Sequence, residues 1–282
     1  MVETHPDMSR HPRKAIAAQT VEILERGHYT APSGRTVEIA EPVRRAIAGT
    51  LLHRPDELTT GPAGPATGDT LIEVTDETTL AAARRLTEAA DDPVLCLNFA
   101  SAKNPGGGFL RGAHAQEEGL ARSSALYASL RTAPDYYAFH RAAGDLLYSD
   151  HMIYSPDVPV FRDDSGALLE EPYQVAFITS AAPNRGALRD PAALDRLPAA
   201  LAQRAAKVLA LADRHGHRRL VLGAWGCGVF GNDPGEVAAV FADLLLPGGP
   251  FAGRFAQVVF AVWDTSPGAP RHAAFARAFP AG

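Results

Sequence analysis

Apolar and polar residues follow two alternating patterns along most of the chain. Short apolar runs, which are typical of buried strands, are separated by longer stretches with apolar residues at helical spacing. Strands are predicted at residues 71–74, 94–100, 152–154, 173–179, 219–222 and 255–263. Helices are predicted at residues 78–90, 116–130, 198–214, 234–246 and 270–279. The alternation predicts an α/β fold with a mainly parallel sheet covered by helices on both faces.

The N-terminal part of the chain has a different pattern. Residues 1–12 are polar and are predicted to form a disordered leader. Helical patterns cover residues 12–27 and 41–52, and a turn-rich segment with Gly and Pro follows at 59–68. No internal repeat or break in composition separates a second domain. We therefore expect one domain over residues 13–282, in which residues 13–68 form an N-terminal helical extension packed on the rest.

Composition limits the classes of function. The chain has 282 residues, of which 46% are hydrophobic, so a substantial core is expected. A net charge of −5 argues against a bulk nucleic-acid binder, and an anionic ligand would have to be held by local groups. Cys96 and Cys227 are far apart and fit neither a disulfide framework nor a zinc site. A cytoplasmic location without a membrane span or secretory signal is expected.

A run of three glycines, Gly106–Gly108, follows the predicted strand 94–100 and precedes Gln116, Glu117 and Glu118. Glycines at a strand end allow the backbone to approach a ligand closely. The paired carboxylates beyond them can donate and accept protons. Acidic residues are also common at helix N-termini simply because they complement the helix dipole. Together, the glycines and the carboxylates predict a pocket for a phosphorylated, sugar-containing ligand.

A second glycine-rich loop covers residues 223–232, after the strand 219–222. Asp233 and Pro234 then supply an N-cap and a first helical residue. Free N–H groups beside a helix N-terminus can hold a phosphate or diphosphate. The alternative is a tight strand–helix turn with Trp225 and Phe230 as core aromatics. The spacing matches neither a Walker loop nor the dinucleotide-binding glycine motif.

These two segments resemble the signatures of a known family. The glycine triplet, seven further residues and then Gln116, Glu117 and Glu118 resemble the defining motif of poly(ADP-ribose) glycohydrolases. Residues 223–231 are similar to the diphosphate loop of the same family. The likeness is to the bacterial type and extends from about Arg13 to Asp264. Two motifs in the same order make the resemblance specific.

The resemblance implies a macrodomain-like three-layer α/β/α sandwich with a mixed, mainly parallel sheet. It implies an exo-acting hydrolase that releases ADP-ribose and needs no cofactor and no metal. The implied partners are poly(ADP-ribose), ADP-ribose and ADP-ribosylated proteins. A monomer without direct nucleic-acid or membrane contacts is expected.

The resemblance also assigns residue roles. Glu118 is the catalytic acid, and Glu117 and Gln116 position ribose hydroxyls. The first loop is shaped by Gly106, Gly107 and Gly108. The residues expected at the diphosphate are Gly226, Cys227, Gly228 and Val229, with Phe230 on the distal ribose. Asp76 and Glu77 are candidate adenine contacts. The alternative is that they are ordinary acidic residues at the start of a helix.

The two glutamates cannot serve as the opposed pair of an ordinary glycosidase. Adjacent helical side chains diverge by roughly 100°, so a mechanism with one carboxylate as acid and then base is favoured. Two alternatives remain at this point. The chain could be a macrodomain that binds ADP-ribose without cutting it, or a hydrolase of mono-ADP-ribosylated protein.

Overall fold

The computed structural model describes residues 10–280. The strands are β1 (His28–Thr30), β2 (Thr36–Glu38), β3 (Leu51–His53), β4 (Leu71–Thr75), β5 (Val94–Phe99), β6 (Met152–Arg162), β7 (Leu168–Ser180), β8 (Arg219–Leu222) and β9 (Gln257–Ala261). The helices are α1 (Arg10–Arg26), α2 (Ala40–Ala48), α3 (Thr79–Ala89), α4 (Gln116–Ser123), α5 (Leu126–Leu130), α6 (Pro134–Ala143), α7 (Pro191–Arg214), α8 (Pro234–Leu245) and α9 (Pro270–Ala278). Among the described residues, no helix combines the length and apolar character that a membrane span requires.

Seven strands form one mixed sheet in the order β3-β6-β7-β5-β8-β9-β4, and β1 and β2 form a separate hairpin. The strands from β7 to β4 run parallel to their neighbours, whereas β6 is antiparallel to β7 and β3 is antiparallel to β6. Because β5 and β8 are paired in parallel, the loops that follow them leave the same edge of the sheet.

Helices cover both faces of the sheet. Side chains alternate along β5, so Leu95 and Leu97 join an apolar cluster with α7, α8 and α9. Val94 and Cys96 point to the other face and join a cluster that includes residues of α2 to α6. These two cores on either side of one sheet confirm the predicted three-layer α/β/α arrangement.

Several predicted elements have different bounds in the structure. The helix predicted at 116–130 is broken at Ser124, whose hydroxyl donates to the Leu120 carbonyl and whose backbone forms a bridge with Val160. The strand predicted at 152–154 extends to Arg162 as β6. The helix predicted from residue 198 begins at Pro191, where the Asp190 side chain caps it. Neither the β1–β2 hairpin nor α6 was predicted.

The N-terminal segment is more than a helical extension. The helix predicted over 41–52 ends at Ala48, and residues 51–53 instead form β3 at the edge of the main sheet. The predicted leader, residues 1–12, lies mostly outside the described residues. Within them, Arg10 to Pro12 are helical, and the Arg10 side chain donates to the Arg111 carbonyl at 3.1 Å. This long-range contact ties Arg10 to the segment that follows the first glycine loop.

Candidate active site

The two glycine-rich loops meet at the carboxyl edge of the sheet. One follows β5 and the other follows β8, and together they border a cavity of about 690 Å³. This volume lies within the usual range for small-molecule sites. The cavity is lined by most of the residues that the sequence singled out: Gly107, Gly108, Gln116, Glu117, Glu118, Gly226, Gly228, Val229, Phe230 and Glu77.

Three predicted site residues, Gly106, Cys227 and Asp76, do not line the cavity. Gly106 is a buried residue of the first loop. It has a φ of +67° and lies next to the Phe109 ring. The N–H of Cys227 donates to the Ala224 carbonyl, and its Sγ lies 3.7 Å from the Trp225 carbonyl oxygen. Burial raises the pKa of the Cys227 thiol to about 12. Contact of Cys227 with a diphosphate therefore stays a prediction, and in the structure its N–H and thiol face the loop's own carbonyls.

The acidic pair after β4 is engaged with protein groups. Asp76 lies outside the cavity lining, and its Oδ1 is 3.4 Å from the backbone nitrogen of Asp264. Glu77 borders the cavity but accepts a hydrogen bond from the Arg85 guanidinium at 2.7 Å. Both side chains thus have structural partners that a purely adenine-binding role does not require.

Glu117 is nearly fully buried beneath the first glycine loop. Its Oε2 accepts the Ser101 N–H at 2.7 Å, and its Oε1 lies 3.4 Å from Nδ2 of Asn98. Burial raises the pKa of Glu117 to about 8, and the hydrogen bonds from Ser101 and Asn98 oppose this shift only in part. At neutral pH the side chain is therefore largely protonated and can donate a hydrogen bond to a ligand oxygen.

Glu118 occupies the more open position beside it. Both glutamates lie in the first turn of α4, where the helix dipole favours negative charge. Oε1 of Glu118 accepts the Gly108 N–H at 2.8 Å, which fixes the carboxyl at the cavity wall. Among the described residues, Oε2 of Glu118 has no hydrogen-bond donor. This oxygen is therefore available to a bound ligand.

Gln116 anchors the start of α4 to the sheet. Its Oε1 accepts the Phe99 N–H at 2.9 Å, and its Nε2 donates to the Leu97 carbonyl and to the Thr79 hydroxyl. Both donor hydrogens of the amide are thus used on protein atoms. This geometry supports a role in placing the two glutamates, in addition to any contact that its carbonyl oxygen makes with a ligand.

The second loop presents free backbone donors to the cavity. Among the described residues, the N–H groups of Gly226, Gly228, Val229 and Phe230 donate to no protein acceptor. The loop holds this shape because Gly226 has a φ of +74° and packs against Asn232, which in turn donates to the Pro183 carbonyl at 2.9 Å. A cluster of unpaired donors without a cationic side chain is suited to a phosphate or diphosphate.

Phe230 is supported by a strained residue. The rings of Phe230 and Tyr148 lie 5.8 Å apart, and Tyr148 adopts a φ of +56°. A positive φ is unfavourable for a residue with a side chain, so surrounding contacts must hold it. The Tyr148 N–H donates to the Asp145 carbonyl at 3.3 Å, and its ring lies 5.7 Å from the His140 ring.

Sequence reasoning missed several residues of the site. Asn98 is fully buried at the end of β5, and as a polar residue in an apolar run it could have been found. Arg122 lies four residues after Glu118, on the same face of α4, and donates to the Ala113 carbonyl at 2.7 Å and to His114 at 3.0 Å. Trp263 and Arg271 line the cavity from beyond β9, a position that only the folded sheet reveals.

Metal-binding side chains are not grouped at this site. Within residues 10–280, no three His, Cys, Asp or Glu side chains lie close enough together to hold a metal ion.

Comparison with known proteins points to one family. The profile of the microbial-type PARG catalytic domain matches residues 17–163. The poly(ADP-ribose) glycohydrolase from Thermomonospora curvata, solved with the inhibitor ADP-HPD, is 71% identical over 95% of this chain and 100% of that chain, with a TM-score of 0.91. A second structure of that protein gives 70% identity over the same shares of the two chains and a TM-score of 0.93.

A more distant structure gives the same result. The poly(ADP-ribose) glycohydrolase from Deinococcus radiodurans in complex with ADP-ribose is 47% identical over 84% of this chain and 96% of that chain, with a TM-score of 0.78. No match was found among the curated proteins that were searched.

Proposed function

The chain belongs to the microbial-type poly(ADP-ribose) glycohydrolases, and on that premise we propose that Glu118 is the general acid and base with which it hydrolyses the ribose–ribose O-glycosidic bonds of poly(ADP-ribose). The observation that carries the assignment is the joint placement of two features in one cavity. A carboxyl group with one uncommitted oxygen faces the same space as four free N–H groups of the second loop.

These two features match two parts of the terminal ADP-ribose unit, its diphosphate and the ribose whose glycosidic bond is cleaved. The diphosphate of a terminal ADP-ribose would accept hydrogen bonds from Gly226, Gly228, Val229 and Phe230, and the N-terminus of α8 follows directly. The ribose at the other end would then lie beside α4, with Glu117 donating to a ribose hydroxyl. A cavity of about 690 Å³ suits one such unit, which supports exo cleavage from the polymer end.

The proposed reaction uses Glu118 twice. In its protonated form it donates to the oxygen of the leaving ribose hydroxyl, so that no alkoxide has to depart. An oxocarbenium-like centre develops at the anomeric carbon, and the new carboxylate of Glu118 stabilises it. The same carboxylate then takes a proton from the attacking water. The Gly108 N–H holds Oε1 throughout, so Oε2 is the atom that exchanges protons.

We also propose that the enzyme acts as a monomer in the cytoplasm on ADP-ribosylated proteins. Two features support the location and the substrate class. Cys96 and Cys227 are both free thiols, as a reducing compartment favours. The site opens to the surface, so a polymer attached to a protein can enter it.

The test is the Glu118→Gln variant. It retains the shape of the side chain but cannot exchange the proton, so we expect hydrolysis of polymer to fall by about 10²–10⁴-fold. Binding of ADP-ribose, measured by calorimetry, is expected to persist. Glu88→Gln is the matched control, because Glu88 is exposed on α3 and pairs only with Arg84. Polymer hydrolysis at the wild-type rate by Glu118→Gln would remove Glu118 from its assigned role.

The substrate class is tested in parallel. Polymer and mono-ADP-ribosylated protein are offered to the wild-type enzyme at equal concentrations of ADP-ribose units. We expect release of ADP-ribose from polymer. Faster release from the mono-modified protein would contradict the proposed specificity.

A further inference from the structure

The segment between β5 and α4 is unusually basic for this acidic chain. Residues 99–115 contain Lys103, Arg111 and His114 but no Asp or Glu, although the whole chain carries a net charge of −5. The second loop, residues 223–232, contains no charged residue at all. The two loops therefore differ: the second offers backbone donors and no charged residue of its own, and the first carries cationic side chains.

Three exposed cations are carried by the loop after β5 and by α6, which contacts that loop, and we refer to Lys103, Arg111 and Arg141 as the basic rim. Arg141 of α6 donates to the Lys103 carbonyl at 2.6 Å, so the two residues are in contact. Arg111 lines the cavity. Its guanidinium would lie 4.0 Å from a Cβ atom on Gly108, the residue whose N–H holds Glu118.

Within the described part of the chain, the basic rim has no charge partners. Exposed arginines elsewhere pair with glutamates, as Arg44 does with Glu41 and Arg84 does with Glu88. In contrast, no carboxylate within residues 10–280 forms an ion pair with Lys103, Arg111 or Arg141. Unpaired cations close to a reacting group attract an anionic ligand to that position.

The path of the polymer beyond the cleaved bond suggests what these cations bind. If the diphosphate of the terminal unit lies on the second loop, the glycosidic bond lies at Glu118, and the rest of the polymer continues past that residue. Arg111 and Glu118 face the same glycine, Gly108, so the continuing chain would pass Arg111. Each further unit of the polymer carries its own diphosphate, which is anionic at neutral pH.

We propose that Lys103, Arg111 and Arg141 form a second subsite, which binds the diphosphate of the ADP-ribose unit on the leaving side of the scissile bond. The inference rests on the proposed function, because it takes the position of the bond from Glu118. The subsite makes the enzyme favour a polymer over a single ADP-ribose unit. It binds a diphosphate with cationic side chains, whereas the second loop binds one with backbone N–H groups.

The experiment compares two doubly substituted enzymes that lose the same charge. One carries Lys103→Gln and Arg141→Gln in the basic rim, neither of which lines the cavity. The control carries Arg26→Gln and Arg44→Gln, which are exposed on α1 and α2 and pair with neighbouring glutamates. We measure kcat/KM on long polymer as a function of salt concentration, together with Kd for ADP-ribose.

The rim variant is expected to lose roughly tenfold in kcat/KM on polymer at low salt, with a weaker salt dependence than the control, because two phosphate contacts are removed. The Kd for ADP-ribose is expected to stay within about twofold of wild type, because the terminal unit lies on the other side of Glu118. A separate Arg111→Gln variant is expected to lose kcat/KM on polymer in the same direction.

Two results would overturn the second subsite. One is equal kcat/KM on polymer for the rim variant and the control. The other is a parallel loss of polymer hydrolysis and ADP-ribose affinity, which would place the cations at the terminal unit. Failure of the proposed function is seen separately, as hydrolysis by Glu118→Gln, and does not depend on either rim measurement.

Discussion

A Cβ atom on Gly107 would lie 2.3 Å from Oε1 of Glu118. Gly107 also adopts a φ of +60°, which side chains disfavour. The glycine is therefore required both by its own backbone conformation and by the carboxyl group that packs on it. This contact links the first glycine loop directly to the proposed catalytic residue.

Substituting Gly107→Ala is expected to displace Glu118 and to lower kcat on polymer by about 10²-fold, because the acid/base group loses its position. Polymer hydrolysis and thermal unfolding are measured together. Gly61→Ala is the control, since a Cβ atom there would meet nothing within 4 Å. Wild-type turnover by a folded Gly107→Ala enzyme would show that the contact is dispensable.

Glu117 makes stability depend on pH. Its pKa is raised from 4.5 to about 8 in the folded state, so the folded state retains a proton that the unfolded state loses between these values. This contribution is fully present below about pH 4.5 and is lost as the pH rises towards 8. Its slope is at most roughly 1.4 kcal/mol per pH unit.

Glu117→Gln removes that titration. In urea unfolding at several pH values, we expect the variant to lose less stability than the wild type between about pH 5 and pH 8. Glu88→Gln, on the exposed face of α3, serves as the control and should follow the wild-type curve. Parallel curves for wild type and Glu117→Gln would contradict a buried, protonated Glu117.

Thr20 connects α1 to the catalytic helix. Its hydroxyl donates to the Arg122 carbonyl at 2.6 Å and accepts from Nε of Arg162 at 3.2 Å. Thr20→Val leaves both groups without this partner in a buried setting, which is expected to cost about 1–3 kcal/mol. Urea unfolding measures this, with Thr87→Val as the control because Thr87 bonds only to carbonyls of its own helix. Equal losses in the two variants would argue against a specific link.

Asp150 balances two buried cations. Arg204 and Lys207 are both nearly fully buried against its carboxylate. Asp150→Asn leaves them uncompensated and is expected to destabilise the protein by about 3–5 kcal/mol. Asp145→Asn is the matched control, since Asp145 pairs with Arg196 at 3.6 Å on the surface, where such a pair contributes less than about 1 kcal/mol. The measurement is urea unfolding of both variants. A similar shift of the unfolding midpoint in Asp150→Asn and Asp145→Asn would contradict this account.

The strands that carry the site could be predicted because their signals are local. β5 and β8 are short apolar runs, and each is followed by glycines, so their existence and the position of the ligand loops were visible in the sequence. That the two strands are neighbours was an inference from the general behaviour of parallel sheets. The structure confirms it through the pairing of Val94 with Arg219.

The elements that were missed depend on distant partners. β6 contains Pro156 and Pro159, which argue against a long strand. The structure accommodates them through a bulge between Ser155 and Val158, with Asp157 at a φ of +46°. The contacts of Gln116 and Cys227 were likewise hidden, because they are set by the depth at which each side chain packs rather than by residue type.

The pairing of β5 with β8 also governs when activity can arise during synthesis. Glu118 is made long before Phe230, and the diphosphate loop forms only after β8 has been added beside β5. A ribosome-bound fragment that ends before β8 carries the acid but lacks the anchor for its substrate. On the proposed assignment, we expect partly synthesised chains to be inert and polymer degradation to begin only when β8 and the loop after it have been translated.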